Sequence, residues 1–163
     1  MKLETLNELF IEQLQDLYSA EEQLTEALPK IAKAASSPAL KQAFEEHLDQ
    51  TEGHIARLDQ CFEKLDADPE GKTCKGMKGL IAEGEDLMDE DAEPEVLDAG
   101  LIAGAQRVEH YEIAAYGCAR TYAQLLGMTE LAQLLQQTLD EEKETDQKLT
   151  DLAESINVEA KAA

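Results

Sequence analysis

The 163-residue sequence has few of the residues that build sheets, disulfide frameworks or zinc sites. It has no tryptophan, and aromatic residues make up 4% of the chain, whereas 43% of its residues are hydrophobic. This balance favours packed helices over a β-sandwich. The three cysteines, Cys61, Cys74 and Cys118, are odd in number and have no C-x-x-C spacing. The pattern therefore indicates neither a disulfide framework nor a zinc knuckle, and it favours a reducing compartment.

Positive charge is also scarce. The chain has 14 lysines and arginines against 36 acidic residues, which gives a formal net charge of −22. Nucleic acids and anionic membranes are themselves negative, so the bulk charge opposes both as partners. The N-terminal stretch contains Glu4 and Glu8, which does not fit a signal peptide, and no uncharged run approaches ~20 apolar residues. We expect a cytoplasmic protein with a single domain over residues 1–163.

Prolines and glycines are few, and their positions divide the sequence into long helical segments. A first helix is expected over residues 3–35, with a kink at Pro29, where a backbone donor is missing. Ser37 then provides the N-cap, and Pro38 the first position, of a second helix that continues to Leu65. The connection is short, so these two helices are expected to form an antiparallel hairpin.

The second half of the sequence repeats this arrangement. A third long helix is expected over residues 94–125, followed by a stop at Gly127. Thr129 is expected to cap a fourth long helix that ends near Ile156. The segment between the hairpins, residues 66–93, is expected to contain one short crossover helix. Two hairpins joined by a long crossover predict an all-α four-helix bundle.

Acidic residues fall into two populations around these predicted helices. Most face away from the apolar stripe, where they form a solvated surface. Glu21, however, lies at the centre of the apolar stripe of the first helix. Glu142 likewise lies at the centre of the apolar stripe of the fourth helix, and Asp146 follows one turn further on. These inward acids need an explanation that solubility does not give.

The second and third helices add further polar groups. His47 and His54 both fall within the apolar stripe of the second helix. Glu109 and Glu112 form an i, i+3 carboxylate pair on the third helix, whose inner face is less clearly defined. We interpret the third helix as buried nearly all round, and a solvated acidic face is the alternative.

Depth along the helices indicates that most inward polar groups lie at one level. A helix rises ~1.5 Å per residue, so groups at equal distances from a hairpin turn lie side by side. His47 is about two turns nearer its loop, which favours a supporting or structural role for it. The candidate metal ligands at the shared level are Glu21, His54, Glu109, Glu112, Glu142 and Asp146.

A cluster of buried carboxylates requires positive charge. Ionised carboxylates in a low-dielectric core cost several kcal/mol each unless they are paired, and they repel one another. Inward lysines and arginines are scarce, and Arg120 is the one that is well placed. Two metal ions would supply the charge, with Glu109 and either Glu112 or Glu142 as bridges. Protons shared between carboxyl groups, or water reaching the acids, are the alternatives.

The sequence also resembles a known family over nearly its whole length. Four segments carry the resemblance: D-L-Y-S-A-E-E-Q-L-T-E-A-L-P-K at 16–30, C-K-G-M-K-G-L-I-A-E-G at 74–84, A-G-A-Q-R-V-E-H-Y-E-I-A-A-Y-G at 103–117, and L-D-E-E-K-E-T-D at 139–146. They are similar to the YciF-like bacterial stress proteins, a branch of the ferritin-like superfamily. This resemblance implies a ferritin-like bundle with inner ligands from all four helices, a small dimeric protein, and a role in the stress response.

The sequence departs from the usual ferritin-like pattern, in which two helices carry Glu-x-x-His. On the fourth helix Glu142 is followed by Thr145 and Asp146, with no histidine. On the second helix Glu52, at the edge of the inner face, precedes His54, so a carboxylate ligand from that helix is in doubt. With one imidazole and many oxygens the site would be hard, preferring iron, manganese or magnesium. Reduction of peroxide or oxygen is compatible with such a site but not implied by it.

Three interpretations follow from these patterns. In the first, the protein holds two metal ions, preferably iron, bridged by glutamates and completed by Glu21, His54 and Asp146, and it reduces a small oxidant such as peroxide or oxygen. In the second, it is a non-enzymatic helical stress protein with a structural or vestigial metal site. A third interpretation, with less support, is iron storage in a hollow shell. A second apolar face on the third helix further suggests a homodimer that buries Tyr111 and Tyr122.

Overall fold

The computed structural model describes residues 3–163, and all regular structure in that range is helical. The all-α prediction is therefore confirmed. None of the helices described is long and apolar enough to cross a membrane. The helices are α1 (Leu6–Ala34), α2 (Pro38–Leu65), α3 (Lys75–Met88), α4 (Pro94–Leu125) and α5 (Thr129–Ala162).

Local capping explains where the first two helices begin. Thr5 forms a capping box with Glu8: the Glu8 amide donates to the Thr5 hydroxyl at 3.2 Å, and the Thr5 amide donates to the Glu8 carboxylate at 2.8 Å. Helix α1 consequently starts three residues later than expected, and it remains helical through Pro29. Ser37 caps α2 through the Leu40 amide, as predicted.

The second hairpin differs from the prediction at two points. Gly127 adopts a positive φ of 73° after α4, a conformation that favours glycine, so the expected stop is confirmed. Thr129 is the first residue of α5 and not its cap, because Met128 occupies the cap position without a side-chain hydrogen bond. Helix α5 also continues beyond Ile156 to Ala162, since no proline or glycine interrupts that segment.

The crossover helix α3 is anchored to α1 and α4 through one cysteine. Cys74 caps α3 and is fully buried, and its sulfur lies 3.0 Å from the Tyr111 hydroxyl. That hydroxyl also donates to Asp16 of α1 at 2.6 Å. A side chain at Gly76 would lie 2.6 Å from the Tyr111 ring, so this close approach requires glycine. Part of the outer face of α4 is thus covered within the chain.

Apolar side chains form two buried clusters at opposite ends of the long helices. The first cluster joins the start of α1 and α5 to the end of α2 and α4, and it includes Phe10, Leu14, Leu58, Phe62, Ala119, Leu131 and Leu135. The second cluster joins the opposite ends of these helices, and it includes Leu24, Leu28, Leu40, Phe44, Leu101, Ile102, Leu149 and Ile156. On each long helix, the buried glutamates and histidines lie where one apolar cluster gives way to the other.

One buried acid outside this polar layer shows how the fold normally satisfies a carboxylate. Asp98 of α4 is 3% exposed and accepts the backbone amides of Ser36 and Ser37, at 2.8 and 2.7 Å. Two such bonds hold the connection between α1 and α2 against α4 and compensate for burial of the charge.

Candidate metal centre

The four long helices together bring six ionisable side chains into one buried layer. Five of them are predicted site residues, and the sixth is His47. Each is 3% exposed or less. They are Glu21 from α1, His47 and His54 from α2, Glu109 and Glu112 from α4, and Glu142 from α5.

One half of the layer, here called the His54 side, contains Glu21, His54 and Glu142. Their ligand atoms lie within 4.8 Å of one another. His54 Nδ1 is 3.0 Å from Glu142 Oε1 and 3.2 Å from Glu21 Oε1, and neither approach has the angles of a hydrogen bond. The buried Tyr116 hydroxyl donates to Glu21 Oε1 at 2.5 Å. Glu21 is thereby held in place on one oxygen.

The opposite nitrogen of His54 contacts a residue that periodicity placed on the outside. His54 Nε2 lies 3.0 Å from Glu141 Oε2. Arg57 donates to both Glu141 oxygens at 2.7 Å, and to the Thr138 hydroxyl at 3.0 Å. Arg57 is therefore the cation nearest to this half of the site. Arg120, which the sequence favoured for that role, instead donates to Gln136.

The other half, here called the His47 side, contains His47, Glu109, Glu112 and again Glu142, with ligand atoms within 4.8 Å of one another. His47 Nε2 lies 3.1 Å from Glu109 Oε1. A small, mainly apolar cavity of about 20 Å³ adjoins both residues. Helical rise predicted only a supporting role for His47 because it measures backbone depth, whereas the His47 and Glu109 side chains both lie towards the second apolar cluster and meet there.

Two other acids stand outside both groups. Asp146, a predicted ligand, is half-buried, accepts a hydrogen bond from Gln106 at 3.2 Å and lies 3.3 Å from the exposed His110. The Asp146 carboxylate, one turn beyond Glu142 on α5, points towards the margin of α4 and not into the layer. Glu52 is exposed, so α2 contributes imidazoles to the layer and no carboxylate.

Many polar atoms of the layer have no hydrogen-bond partner within residues 3–163. Such atoms are rare in folded proteins, because each buried unsatisfied group costs about 1–3 kcal/mol. The unpaired atoms are Glu21 Oε2, both nitrogens of His47, His54 Nδ1, Glu109 Oε2, both oxygens of Glu112 and both oxygens of Glu142. Their number and convergence contrast with the doubly bonded carboxylate of Asp98 and fit a site for cations.

Burial and mutual repulsion determine the charge of the metal-free site. Burial raises the pKa of Glu109 and of Glu142 to about 8, and it raises the pKa of Glu112 well above its usual value. Burial alone would lower the pKa of His54, but the carboxylates of Glu142 and Glu21 outweigh it and raise that pKa to about 10. Bound protons therefore carry the compensating charge in the metal-free site.

Comparison with known proteins places the chain in a family. A family model described as "Domain of unknown function (DUF892)" matches residues 5–162. Protein YciF of Escherichia coli K12 is 49% identical over 99% of this chain and 98% of its own length.

Solved structures are similar over nearly the same range. The crystal structure of the E. coli stress protein YciF superposes with a TM-score of 0.92 at 48% identity, covering 94% of this chain and 98% of that one. A putative structural protein from Rhodopseudomonas palustris superposes with a TM-score of 0.89 at 42% identity, covering 91% of this chain and 95% of that one. A Xanthomonas campestris protein at 23% identity, with a TM-score of 0.74 and 94% of each chain covered, shares the fold. The chain therefore belongs to the DUF892 family and is a relative of the E. coli stress protein YciF.

Proposed function

We propose that the chain is a ferritin-like four-helix bundle, built from α1, α2, α4 and α5, with a carboxylate-bridged dinuclear metal site and a role in the stress response. The observation that carries this proposal is the position of Glu142, which belongs to both ligand groups. A carboxylate has two oxygens, so one side chain can bind two cations at once.

Each half of the layer would hold one ion. On the His54 side, Glu21 and His54 would be terminal ligands, with Tyr116 fixing the orientation of Glu21. On the His47 side, His47 and Glu109 would be terminal ligands. Glu142, which belongs to both groups, is the candidate bridge, and Glu112, on the His47 side, is the second bridge that the sequence suggested. His47 takes the place that the sequence assigned to Asp146.

The donor set favours iron, with manganese as the first alternative. Two imidazoles and four carboxylates suit iron or manganese, whereas magnesium prefers oxygen ligands and water. His47 adds a second imidazole to the donor set. The site therefore favours magnesium less than a site with a single imidazole would. A bound pair of redox-active ions would supply the electrons for reducing peroxide or oxygen. The residues of this chain would hold the ions, orient the ligands and exclude bulk water through the two apolar clusters.

A non-enzymatic role is the second candidate, in which the site is structural or vestigial. It is favoured by the Rhodopseudomonas palustris relative, which is described as a putative structural protein. Exposure of an iron-loaded sample to peroxide separates the two candidates. Peroxide-dependent oxidation of the bound iron, at a rate well above that of free iron, supports an enzyme, and a rate equal to that of free iron supports a structural role.

Metal content tests the proposed site itself. Protein purified without chelator and loaded anaerobically with Fe(II) is expected to hold about two ions per chain, and Glu112→Ala is expected to lose most of them. Glu144→Ala, which removes an exposed carboxylate of α5, is the matched control and should retain both ions. Absence of bound metal in the parent protein after anaerobic loading would overturn the proposal.

We also propose a homodimer that uses the outer face of α4. The half-buried Tyr122 would lie in this contact, whereas the Tyr111 hydroxyl already bonds Asp16 within the chain. Light scattering is expected to give twice the monomer mass at micromolar concentration, and a monomer mass would contradict the dimer.

A further inference from the structure

We infer that Glu141, clamped by Arg57, is a positioning residue that sets the tautomer and ring orientation of His54, so that Nδ1 is presented to a metal ion. This inference rests on the proposed metal site and adds two residues that belong to neither ligand group. It concerns how tightly a metal ion would bind on the His54 side, the half of the layer that contains Glu21.

The two ring nitrogens of His54 face different partners. Nδ1 faces the layer, at 3.0 Å from Glu142 and 3.2 Å from Glu21. Nε2 faces out of the layer, at 3.0 Å from Glu141 Oε2. A carboxylate accepts hydrogen bonds, so Nε2 carries a proton and donates it to Glu141. When a cation displaces the proton on Nδ1, the lone pair of that nitrogen is directed at the ion.

Arg57 prevents the Glu141 carboxylate from turning away. Its guanidinium forms two parallel bonds of 2.7 Å to the two Glu141 oxygens, and a third bond of 3.0 Å to Thr138 one turn earlier on α5. A bidentate pair of this kind fixes the orientation of the carboxylate as well as its position. The pair is partly screened, with side-chain exposures of 17% for Arg57 and 23% for Glu141.

The second histidine of α2 provides an internal comparison. His47 is as well buried as His54, but within the described chain neither of its ring nitrogens has a hydrogen-bond partner. Burying an imidazole on α2 therefore does not by itself require an acceptor on its outer nitrogen. A carboxylate that contacts the distal nitrogen of a ligating histidine fixes the ring and strengthens it as a ligand, and its loss typically weakens metal binding ~10- to 100-fold.

Cobalt(II) binding tests the inference with a probe other than activity. Glu141→Leu removes the acceptor and is expected to weaken the tighter Co(II) site ~10- to 100-fold. Glu141→Gln keeps an acceptor oxygen for Nε2 and is expected to stay close to the parent affinity. Glu144→Leu removes an exposed carboxylate from the same helix without touching a ligand, and it is expected to leave the affinity unchanged.

A spectroscopic readout separates positioning from a general loss of structure. Bound Co(II) shifts the exchangeable N–H proton of a coordinating imidazole far from the diamagnetic region of the NMR spectrum. In the parent the His54 Nε2 proton is expected to exchange slowly with solvent, because Glu141 accepts it. The signal is expected to exchange much faster in Glu141→Leu and to be restored in Glu141→Gln. A double variant, Arg57→Met with Glu141→Leu, leaves no unpaired charge and is expected to fold and show the same loss.

The outcomes distinguish this inference from the proposed site. Failure of the parent protein to bind Co(II) at the buried layer would overturn both. Tight binding by Glu141→Leu and by the double variant, with a slowly exchanging His54 proton in each, would overturn the positioning role alone and leave the metal site intact.

Discussion

The two halves of the buried layer contain the same kinds of side chain but differ in how those side chains are held. On the His54 side, Tyr116 donates to Glu21 and Glu141 accepts from His54. On the His47 side, the imidazole has no hydrogen-bond partner within residues 3–163, and a small cavity adjoins it. The His54 side is thus preorganised for the proposed cation, whereas the proposed cation would itself have to organise the His47 side. Since preorganisation reduces the cost of binding, we expect a tighter ion on the His54 side.

The largest effect is expected from the residue that the two halves share. Glu142→Gln removes an anionic ligand from both groups at once and is expected to reduce bound metal from about two ions per chain to fewer than one. The measurement is metal analysis after anaerobic loading and gel filtration. Glu144→Gln, an exposed position two residues along α5, is the control and should keep both ions. Retention of two ions by Glu142→Gln would show that Glu142 does not bridge the halves.

Removing one imidazole at a time separates the halves. His47→Gln is expected to leave about one ion per chain, bound with nearly the affinity of the tighter parent site, because His54 and Glu21 are untouched. His54→Gln is expected to remove the tighter ion. Isothermal titration with Mn(II) measures both quantities. Loss of the tighter ion in His47→Gln, with its retention in His54→Gln, would reverse the assignment of affinities.

The pH dependence of stability separates the carboxyl groups of the layer from His54 in the metal-free protein. Glu109 and Glu142 have folded pKa values near 8, against an ordinary value of 4.5, and His54 near 10, against 6.5. Between the ordinary and the raised pKa, the folded state binds more protons than the unfolded state, so stability falls as pH rises. The melting temperature is expected to drop first between pH 5 and 8 through the carboxyl groups, and again towards pH 10 through His54.

Calorimetry of the chelated protein at a series of pH values measures this decline. The Fe(II)- or Mn(II)-loaded protein should show the opposite trend between pH 6 and 8, because ions and protons compete for the same atoms. A melting temperature of the metal-free protein that rises from pH 6 to pH 9 would contradict the raised pKa values.

The smallest effect is expected from the hydroxyl that organises the His54 side. Tyr116→Phe leaves Glu21 Oε1 without its donor and is expected to lower the free energy of unfolding by about 1–3 kcal/mol. Metal affinity is expected to fall only modestly, and only for the tighter ion. Chemical denaturation of the variant and of the parent protein measures the change, and equal stability of the two would show that the Tyr116 bond contributes little.

Most of the fold follows from features that the sequence displays directly. Prolines and the glycine at 127 predict the bounds of α4, and the Ser37 cap predicts the start of α2, because these residues act on the local backbone. Helical periodicity likewise predicts that Glu21 and Glu142 are buried, since each lies in the middle of an apolar stripe.

The details of the site depend on contacts between helices, which periodicity does not contain. Glu141 lies at the margin of its helix face and is drawn inwards by Arg57 and His54 from α2. His47 joins the layer because Glu109 is displaced along α4 in the same direction. Asp146 leaves the layer because Gln106 and the exposed His110 hold it at the surface of α4. In each case a partner on another helix decides the outcome.

The most direct test of the dinuclear site is anomalous diffraction from a crystal of the protein loaded with Mn(II). The proposal predicts two anomalous peaks inside the layer, about 3.5–4 Å apart, one within bonding distance of His54 Nδ1 and one near His47, with Glu142 between them. Peaks confined to exposed carboxylates, with none between α1, α2, α4 and α5, would contradict it.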